Sequence, residues 1–383
     1  MEENNTPSLT LSKTKEDDNA LECNKLEENS QSNNDDLERK HFHRVLNAFK
    51  NYKRWALGQL QGALEGVARL PPRHRALLGG HRAHLEALQG AVGHNQHVLD
   101  ALVRDAQHLF HEAPPGTVGP PSEEREEGEA EKVEGVLRQL FREWSLEGEA
   151  ERDASFAPIL QEIQRRFPQV EGRAGVRVLV PGAGLGRLPY EIARLGYSCQ
   201  GNEFSLFMLF TSNFVLNKCR AVGGHHVFPW VLPLHNRSRP CHALLPAPFP
   251  DVDPSALPPG PAFSMAAGSF LEIYNDQPGA WECVATCFFV DTASNVAEYV
   301  DVVWHVLAPG GTWVNLGPLL YHGAKALALS WEELREIIAH KGFTFLREEV
   351  GVCTPYAQDP RSMMVHAYRS VFFSCTKPAP KAE

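Results

Sequence analysis

The sequence lacks several features that would place it in a membrane, secreted or metal-binding class. It has no apolar run near the roughly 18 residues that a membrane span needs, and its polar opening stretch, MEENNTPSLTLSKTKEDDN, has no apolar segment typical of a signal peptide. Its eight cysteines include no CxxC pair, so neither a disulfide framework nor a zinc site is indicated. We therefore expect reduced, buried thiols and a location in the cytosol and the nucleus, with no membrane partner.

The sequence also has no excess of basic over acidic residues. The chain carries 47 acidic and 37 basic residues, a net charge of −10, which argues against a broad phosphate-binding face. The basic stretch HFHRVLNAFKNYKRW could still touch nucleic acid or a partner, but such a helix more often docks its aromatic side chains and solvates its charges. The seventeen histidines come without HExxH or paired Cys/His spacing. We expect no nucleic-acid partner and no metal.

Composition divides the chain of 383 residues into four parts. Residues 1–38 have few apolar positions, which predicts a disordered acidic and polar tail. Residues 39–113 repeat apolar side chains at helical spacing, which predicts an N-terminal helical region. Residues 114–132 are rich in proline, glycine and acid and read as a linker or loop, and 133–383 form the main domain.

The main domain alternates short β-rich runs with amphipathic stretches, which is typical of an α/β fold with a parallel sheet between helices. The predicted strands are 176–181, 198–203, 263–267, 282–290, 312–317, 343–349 and 367–376, and the predicted helices are 187–195, 204–219, 294–307 and 330–340. We expect a doubly wound, seven-stranded Rossmann-like sheet with its ligand site at the carboxyl ends of the first strands. Residues 223–262 form a long insertion, either a substrate lid or a surface excursion.

A glycine loop follows the first strand in VLVPGAGLGRL. Gly182 and Gly184 let the backbone turn sharply and approach a ligand, which suits a dinucleotide, a phosphate or a methyl donor. The dinucleotide pattern GxGxxG would need a glycine where this chain has Arg187. The observed GxGxG pattern is instead typical of methyltransferases that use S-adenosylmethionine (SAM).

An acidic residue and a later turn support the same interpretation. Glu203 ends the next strand, YSCQGNE, where a carboxylate can accept both ribose hydroxyls of an adenosine, although it could also be a solvated strand-end acid. The sequence LAPGGTWVNL adds a helix end, a Pro-Gly-Gly turn and a strand, an order that recurs in SAM-dependent methyltransferases. Three features at compatible spacing therefore indicate SAM as the cofactor.

Longer stretches carry a more specific resemblance. VLVPGAGLGRLPYEIARLGYSCQGNEFSLFMLFTSNFVLN, FPDVDP, FSMAAGSFLEIY, ATCFFVDTASNV and GGTWVNLGPLLYH resemble the carnosine N-methyltransferase family, over about residues 136–376. The resemblance implies SAM-dependent methylation of carnosine at the imidazole nitrogen nearer the side-chain stem, giving anserine, with related histidine peptides as minor substrates and a possible homodimer. Two alternatives stay open: a histidine methyltransferase acting on proteins or peptides through an open groove, and a non-catalytic SAM-binding scaffold.

The resemblance also implies site residues. On the SAM side they are Gln139, Arg142, Gly182, Gly184, Glu203, Ser269, Phe270 and Cys287. Arg142 would hold the methionine carboxylate of SAM. Ser269 stands where the family carries aspartate, so it can hydrogen-bond the adenine but brings no charge.

On the acceptor side the resemblance implies Asp291, His322 and Tyr368, together with His366 in place of a family tyrosine. The attacking nitrogen needs a lone pair, so the imidazole must bind neutral; a carboxylate at the far ring nitrogen would select that tautomer and act as base, the role expected of Asp291. Asp291 could instead cap the following helix. His322 and Tyr368 could likewise be structural.

Overall fold

The computed structural model describes residues 15–107, 123–232, 234–321 and 326–379. The α-helices in these ranges are α1 (Lys15–Ala68), α2 (Pro72–Arg75), α3 (Gly79–Gln107), α4 (Glu123–Trp144), α5 (Glu149–Arg166), α6 (Arg187–Arg194), α7 (Leu206–Lys218), α8 (Phe270–Ile273), α9 (Val296–Val306) and α10 (Trp331–Lys341). The strands are β1 (Arg177–Pro181), β2 (Ser198–Glu203), β3 (His225–Val227), β4 (Ala247–Phe249), β5 (Phe263–Ala267), β6 (Trp281–Cys287), β7 (Leu307–Gly317), β8 (Thr344–Pro355) and β9 (Ala367–Thr376).

Seven of these strands form one sheet in the order β5-β2-β1-β6-β7-β9-β8. The expected seven-stranded α/β sheet is thereby confirmed, but β9 runs against both of its neighbours, so the sheet is mixed and not wholly parallel. The reason lies in the connection: β8 and β9 are joined by residues 356–366 without a helix, and a short connection between paired strands makes them antiparallel.

Helices cover both faces of the sheet because the strand side chains alternate. In β1, Val178 and Val180 pack in the same cluster as Ile159 of α5, whereas Leu179 between them packs in the cluster of Val300 of α9. Both faces of β1 are therefore buried, as expected for a strand inside a doubly wound sheet.

The N-terminal helices share a core with the main domain. The ring of Phe42 in α1 meets Phe210 of α7 edge-on at a centroid distance of 5.2 Å, and Phe49 lies 5.4 Å from Phe207. These side chains belong to one buried cluster that also includes residues of α3 and α4. The helical region therefore packs directly on α7, next to the end of β2.

Two segments differ from the composition-based expectation. Residues 15–38, predicted within the disordered tail, are helical as the first part of α1, and α4 begins at Glu123, inside the predicted linker 114–132. Glutamate, lysine, alanine and leucine are good helix formers, so low apolar content alone does not prevent a helix that continues into a packed one. The rest of the predicted linker, 114–122, lies outside the described residues.

The insertion 223–262 is anchored to α3. Its strands β3 and β4 pair antiparallel, and the buried side chain of Asn95 donates to the carbonyl of Phe228 at 3.0 Å and accepts the Phe228 N–H at 2.7 Å. These hydrogen bonds fix the start of the insertion against the helical region, while its role as a lid stays a prediction.

Candidate active site

The glycine loop joins β1 to α6 at the point where the sheet order reverses, between β1 and β6. Gly182 and Gly184 both have positive φ, 66° and 56°. A Cβ on Gly182 would lie 2.5 Å from the ring of Phe289, and one on Gly184 would lie 2.7 Å from Oε1 of Glu143. Only glycine fits here, because both the backbone conformation and the space exclude a side chain.

Glu203 ties this loop to the end of β2. Its Oε2 accepts the Gly184 N–H at 2.9 Å, and its Oε1 accepts the N–H groups of Phe204 and Ser205 at 2.9 and 2.8 Å. Burial raises the pKa of this carboxyl group, and the three backbone donors oppose that rise. Glu203 is thus a half-buried, fixed carboxylate and not a freely solvated strand end.

A cavity of about 480 Å³, hereafter the main cavity, lies at the carboxyl ends of β1, β2 and β6 and is within the size range of small-molecule sites. It is lined by all eight residues expected on the SAM side, Gln139, Arg142, Gly182, Gly184, Glu203, Ser269, Phe270 and Cys287. The structure therefore brings these residues together, although their contacts to SAM stay a prediction.

Helix α4 presents a charged face to the main cavity. Gln139 donates through Nε2 to the hydroxyl of Tyr356 at 2.8 Å. The buried guanidinium of Arg142 pairs with Glu151, Nε to Oε1 at 2.9 Å, and lies over the rings of Phe288 and Tyr356 at 5.4 and 5.0 Å. Arg142 thus brings a buried cation, already paired with one carboxylate, into the cavity wall.

Sequence reasoning missed Glu143, which also lines the main cavity. Its side chain is almost fully buried, and its Oε2 accepts the N–H groups of Leu185 and Arg187 at 3.1 and 3.3 Å. Burial raises the pKa of Glu143 to about 7, against the opposing charge of Arg142. The signal in the sequence was its spacing, four residues after Gln139 on one helix face.

The remaining wall of the main cavity is aromatic and neutral. Phe270 packs edge-on against Phe289 and Tyr299, at 5.5 Å in each case. Ser269 precedes α8, makes no side-chain hydrogen bond to that helix, and lines the cavity. Burial raises the pKa of Cys287 to about 12, so its sulfur is a neutral thiol in the cavity wall at physiological pH.

Asp291 lies in a turn directly after β6, beside the main cavity. It is 3% exposed, its neighbours Phe289 and Thr292 line the cavity, and its Oδ2 accepts the Leu320 N–H at 3.0 Å. The cap of α9 is Asn295, whose side chain accepts the Ala297 N–H, so Asp291 does not cap that helix. The alternative interpretation of Asp291 as a helix cap is wrong.

The structure does not bring the other residues expected on the acceptor side together. Tyr368 in β9 completes an aromatic group, with its ring 6.1 Å from Phe288 and 6.4 Å from Tyr356. His366 lines a second cavity of about 90 Å³ between the insertion and residues 357–364. His322 lies outside the described residues. Neither Asp291, Tyr368 nor His366 lines the main cavity.

Two strained residues mark the strand ends at this site. Phe288, after β6, and Tyr321, after β7, have positive φ values of 53° and 46° although neither is glycine. The negative charge of Asp291 adds to burial in raising the pKa of Tyr321 to about 12. Backbone strain of this kind is maintained by the surrounding structure and is often found at ligand sites.

Within the part of the chain that the structure describes, no helix is long and apolar enough to span a membrane. The same residues contain no group of three or more His, Cys, Asp or Glu side chains arranged to hold a metal ion.

The main cavity fits SAM by its chemistry. The Cβ positions at Gly182 and Gly184 are blocked so that only backbone borders the cavity there, a fixed carboxylate stands at the end of β2, and a buried acceptor, Oε1 of Gln139, has no hydrogen-bond partner among the described residues. An adenosine ribose and a zwitterionic amino acid supply the donors and the anion that these groups lack. The fold and this cavity define a SAM-dependent methyltransferase of the seven-stranded α/β class.

Comparison with known proteins specifies the family. The model of the family "Carnosine N-methyltransferase" matches residues 122–379. Relatives with that name are 42% identical in Mus musculus, over 89% of this chain and 87% of the relative, and 33% identical in Schizosaccharomyces pombe, over 89% and 96%. The solved magnesium protoporphyrin IX methyltransferase from Synechocystis is 12% identical over 68% of this chain and 90% of that one, with a TM-score of 0.34. The chain belongs to the carnosine N-methyltransferase family.

Proposed function

We propose that the protein methylates carnosine on the imidazole nitrogen nearer the side-chain stem, giving anserine, and accepts related histidine-containing di- and tripeptides more weakly. The family supports carnosine as the substrate. The observation that carries the rest is Asp291, a buried carboxylate between two residues that line the main cavity.

SAM supplies the electrophilic methyl group on its sulfonium. Arg142, Gln139 and Glu203 in the cavity wall would hold its two polar ends, and Phe270 and Cys287 would border its less polar parts. These residues orient the methyl group and exclude water; an in-line displacement gains most of its rate from such positioning.

Asp291 would prepare the acceptor. Its Oδ2 is fixed by the Leu320 N–H, which sets the orientation of the carboxylate. The carboxylate accepts the N–H of the far ring nitrogen, leaves the lone pair on the near nitrogen, and stabilises the imidazolium that forms as the methyl group is transferred. It then takes the far-nitrogen proton, so the methylated ring leaves neutral.

Tyr368 and His366, with His322, would hold the remainder of the dipeptide. Tyr368 packs against Phe288, which lines the main cavity, and its hydroxyl would bind the peptide backbone. His366 keeps the ring and hydrogen-bonding group of the family tyrosine with a shorter reach, so we expect a weaker contact at this position.

The test is incubation of the purified protein with SAM and carnosine, followed by mass spectrometry and NMR assignment of the methylated nitrogen. We expect a gain of one methyl group on the near nitrogen. A dipeptide already methylated on the far nitrogen is the control, and we expect no turnover because it has no N–H to donate to Asp291. Methylation of histidine only in longer peptides, or no product with any acceptor, would contradict the proposal.

A further inference from the structure

One face of α4 carries three polar side chains into the main cavity. Gln139 and Glu143 are four residues apart and Arg142 lies between them, so all three project from the same side of the helix. All three line the main cavity and are more than nine-tenths buried. This face therefore forms a compact polar end to a cavity whose other walls are largely aromatic.

Two acceptor atoms on this face have no donor. The amide of Gln139 donates a hydrogen bond from Nε2 to Tyr356, and its buried Oε1 has no hydrogen-bond partner among the described residues. Glu143 accepts two backbone N–H groups with Oε2, whereas its Oε1 lies 3.9 Å from Nη1 of Arg142, which is beyond hydrogen-bond length. Buried acceptors normally find a donor, so a ligand has to supply N–H groups here.

The charges on this face of α4 indicate which chemical group of a ligand could bind there. Arg142 beside Glu143 places a cation and an anion 3.9 Å apart in the same cavity wall. Such a pair matches a group that carries an ammonium and a carboxylate on one carbon atom. Glu203 lies on the other side of the glycine loop, bound to the Gly184 N–H, while Glu143 Oε1 lies against the Cβ position of Gly184. The two acids therefore both contact the glycine loop at Gly184.

We infer that Glu143, together with the amide oxygen of Gln139, binds the α-ammonium group of SAM, with Arg142 on the carboxylate. The inference rests on SAM as the cofactor and not on the acceptor, so it holds whether or not carnosine is the substrate. Three ammonium N–H groups meet two free acceptors, and the charge-assisted bond to a carboxylate is the stronger of them.

The surroundings keep Glu143 in place before the cofactor binds. Arg187 donates to the backbone carbonyl of Glu143 at 2.8 Å and is itself held by Asp251 at 2.5 and 3.1 Å. Arg152 pairs with the same Asp251 at 2.6 Å and so joins α5 to this contact. Asp251 belongs to the FPDVDP stretch of the insertion, so this stretch helps to hold the end of α4 that carries Glu143.

The experiment is calorimetric binding to Glu143→Gln without any acceptor. S-adenosylhomocysteine carries the ammonium group, its α-deaminated 2-oxo analogue lacks that group alone, and 5′-methylthioadenosine lacks the whole amino-acid end. We expect the Kd of S-adenosylhomocysteine to rise about 10- to 100-fold in the variant. We expect the Kd values of the other two ligands to change less than about twofold. The exposed Glu147→Gln variant is the matched control and should bind all three ligands normally.

Two results would overturn the inference. Equal weakening of all three ligands would mean that Glu143 acts only by shaping the glycine loop, and unchanged binding of S-adenosylhomocysteine would mean that it does not touch the ammonium group. If Glu143→Gln does not fold, Glu143→Asp keeps the charge but shortens the reach, and the same selective loss for S-adenosylhomocysteine is expected. Failure of carnosine methylation would leave these binding results unaffected and would bear on the proposed function alone.

Discussion

The two halves of the candidate site are built differently. On the cofactor side, acidic side chains bind the backbone of the glycine loop: Glu203 accepts the N–H of Gly184 and Glu143 accepts the N–H of Leu185. On the acceptor side, Asp291 and Tyr368 come from separate strand ends of the sheet. We therefore expect cofactor binding to draw on groups that also hold the glycine loop, whereas the proposed acceptor contacts come from side chains that do not bind this loop. Substitutions should separate the two halves: one set should change stability and SAM affinity together, the other turnover alone.

The largest effect is expected for Asp291→Asn. The amide keeps an oxygen for the Leu320 N–H, so the turn should stay in place, but it cannot stabilise the developing imidazolium. We expect kcat to fall by about 100-fold or more with the Kd of SAM nearly unchanged. Steady-state kinetics and calorimetry measure the two quantities. Asp301→Asn, an exposed residue on α9, is the control, and near-normal turnover of Asp291→Asn would remove the catalytic assignment.

Gly184→Ala tests the cofactor half. Alanine at a φ of 56° is strained, and its Cβ would lie 2.7 Å from Glu143 Oε1. We expect a loss of about 2 kcal/mol in the free energy of unfolding, measured with urea, and a weaker affinity for SAM. Gly135→Ala is the matched control, because it lies in α4 with open space around its Cβ and should be neutral or slightly stabilising. Equal effects of the two changes would contradict the comparison.

Without cofactor, Glu143→Gln should be more stable than the wild type at high pH but not at low pH. The folded-state pKa of Glu143 is about 7, above the ordinary 4.5, so the folded state holds a proton that the unfolded state has lost between these values. The wild type therefore loses stability as the pH rises from about 4.5 to 7, and a neutral glutamine does not. We expect the Tm of the variant to exceed that of the wild type at pH 8 and to match it near pH 5, measured by scanning calorimetry. A difference in Tm that does not depend on pH would contradict this account.

Local patterns predicted the cofactor half well. The strands expected at 198–203 and 263–267 match β2 and β5, since a short run between turn signals leaves little freedom. Helix α5 was missed because its apolar positions are interrupted by charged residues and Pro158. Glu143 was missed for a different reason: its spacing from Gln139 indicates only a shared helix face, and its partners, the N–H groups of Leu185 and Arg187, lie more than 40 residues away in the chain.

The residues of the acceptor half could be predicted only through the family resemblance. Spacing alone favoured Asp291 as a helix cap, and the structure gives that cap to Asn295. The resemblance assigns His366 to the acceptor side in place of a family tyrosine, yet His366 lines the second cavity while Tyr368 packs on Phe288. Which cavity each ring enters depends on the loop that precedes β9, and a sequence pattern does not specify that path.

The smallest effect is expected for Tyr368→Phe. The ring stays packed against Phe288 and Tyr356, so the fold and the SAM affinity should be kept, and only the hydroxyl is lost. One neutral hydrogen bond to the acceptor corresponds to a KM for carnosine about threefold to tenfold higher with little change in kcat. Tyr274→Phe is the matched control, because its hydroxyl donates to Gln200 inside the sheet at 3.0 Å. Tyr274→Phe should lower the Tm and leave the KM for carnosine unchanged. If Tyr368→Phe gives that same result, Tyr368 is a structural residue and β9 does not contribute to acceptor recognition.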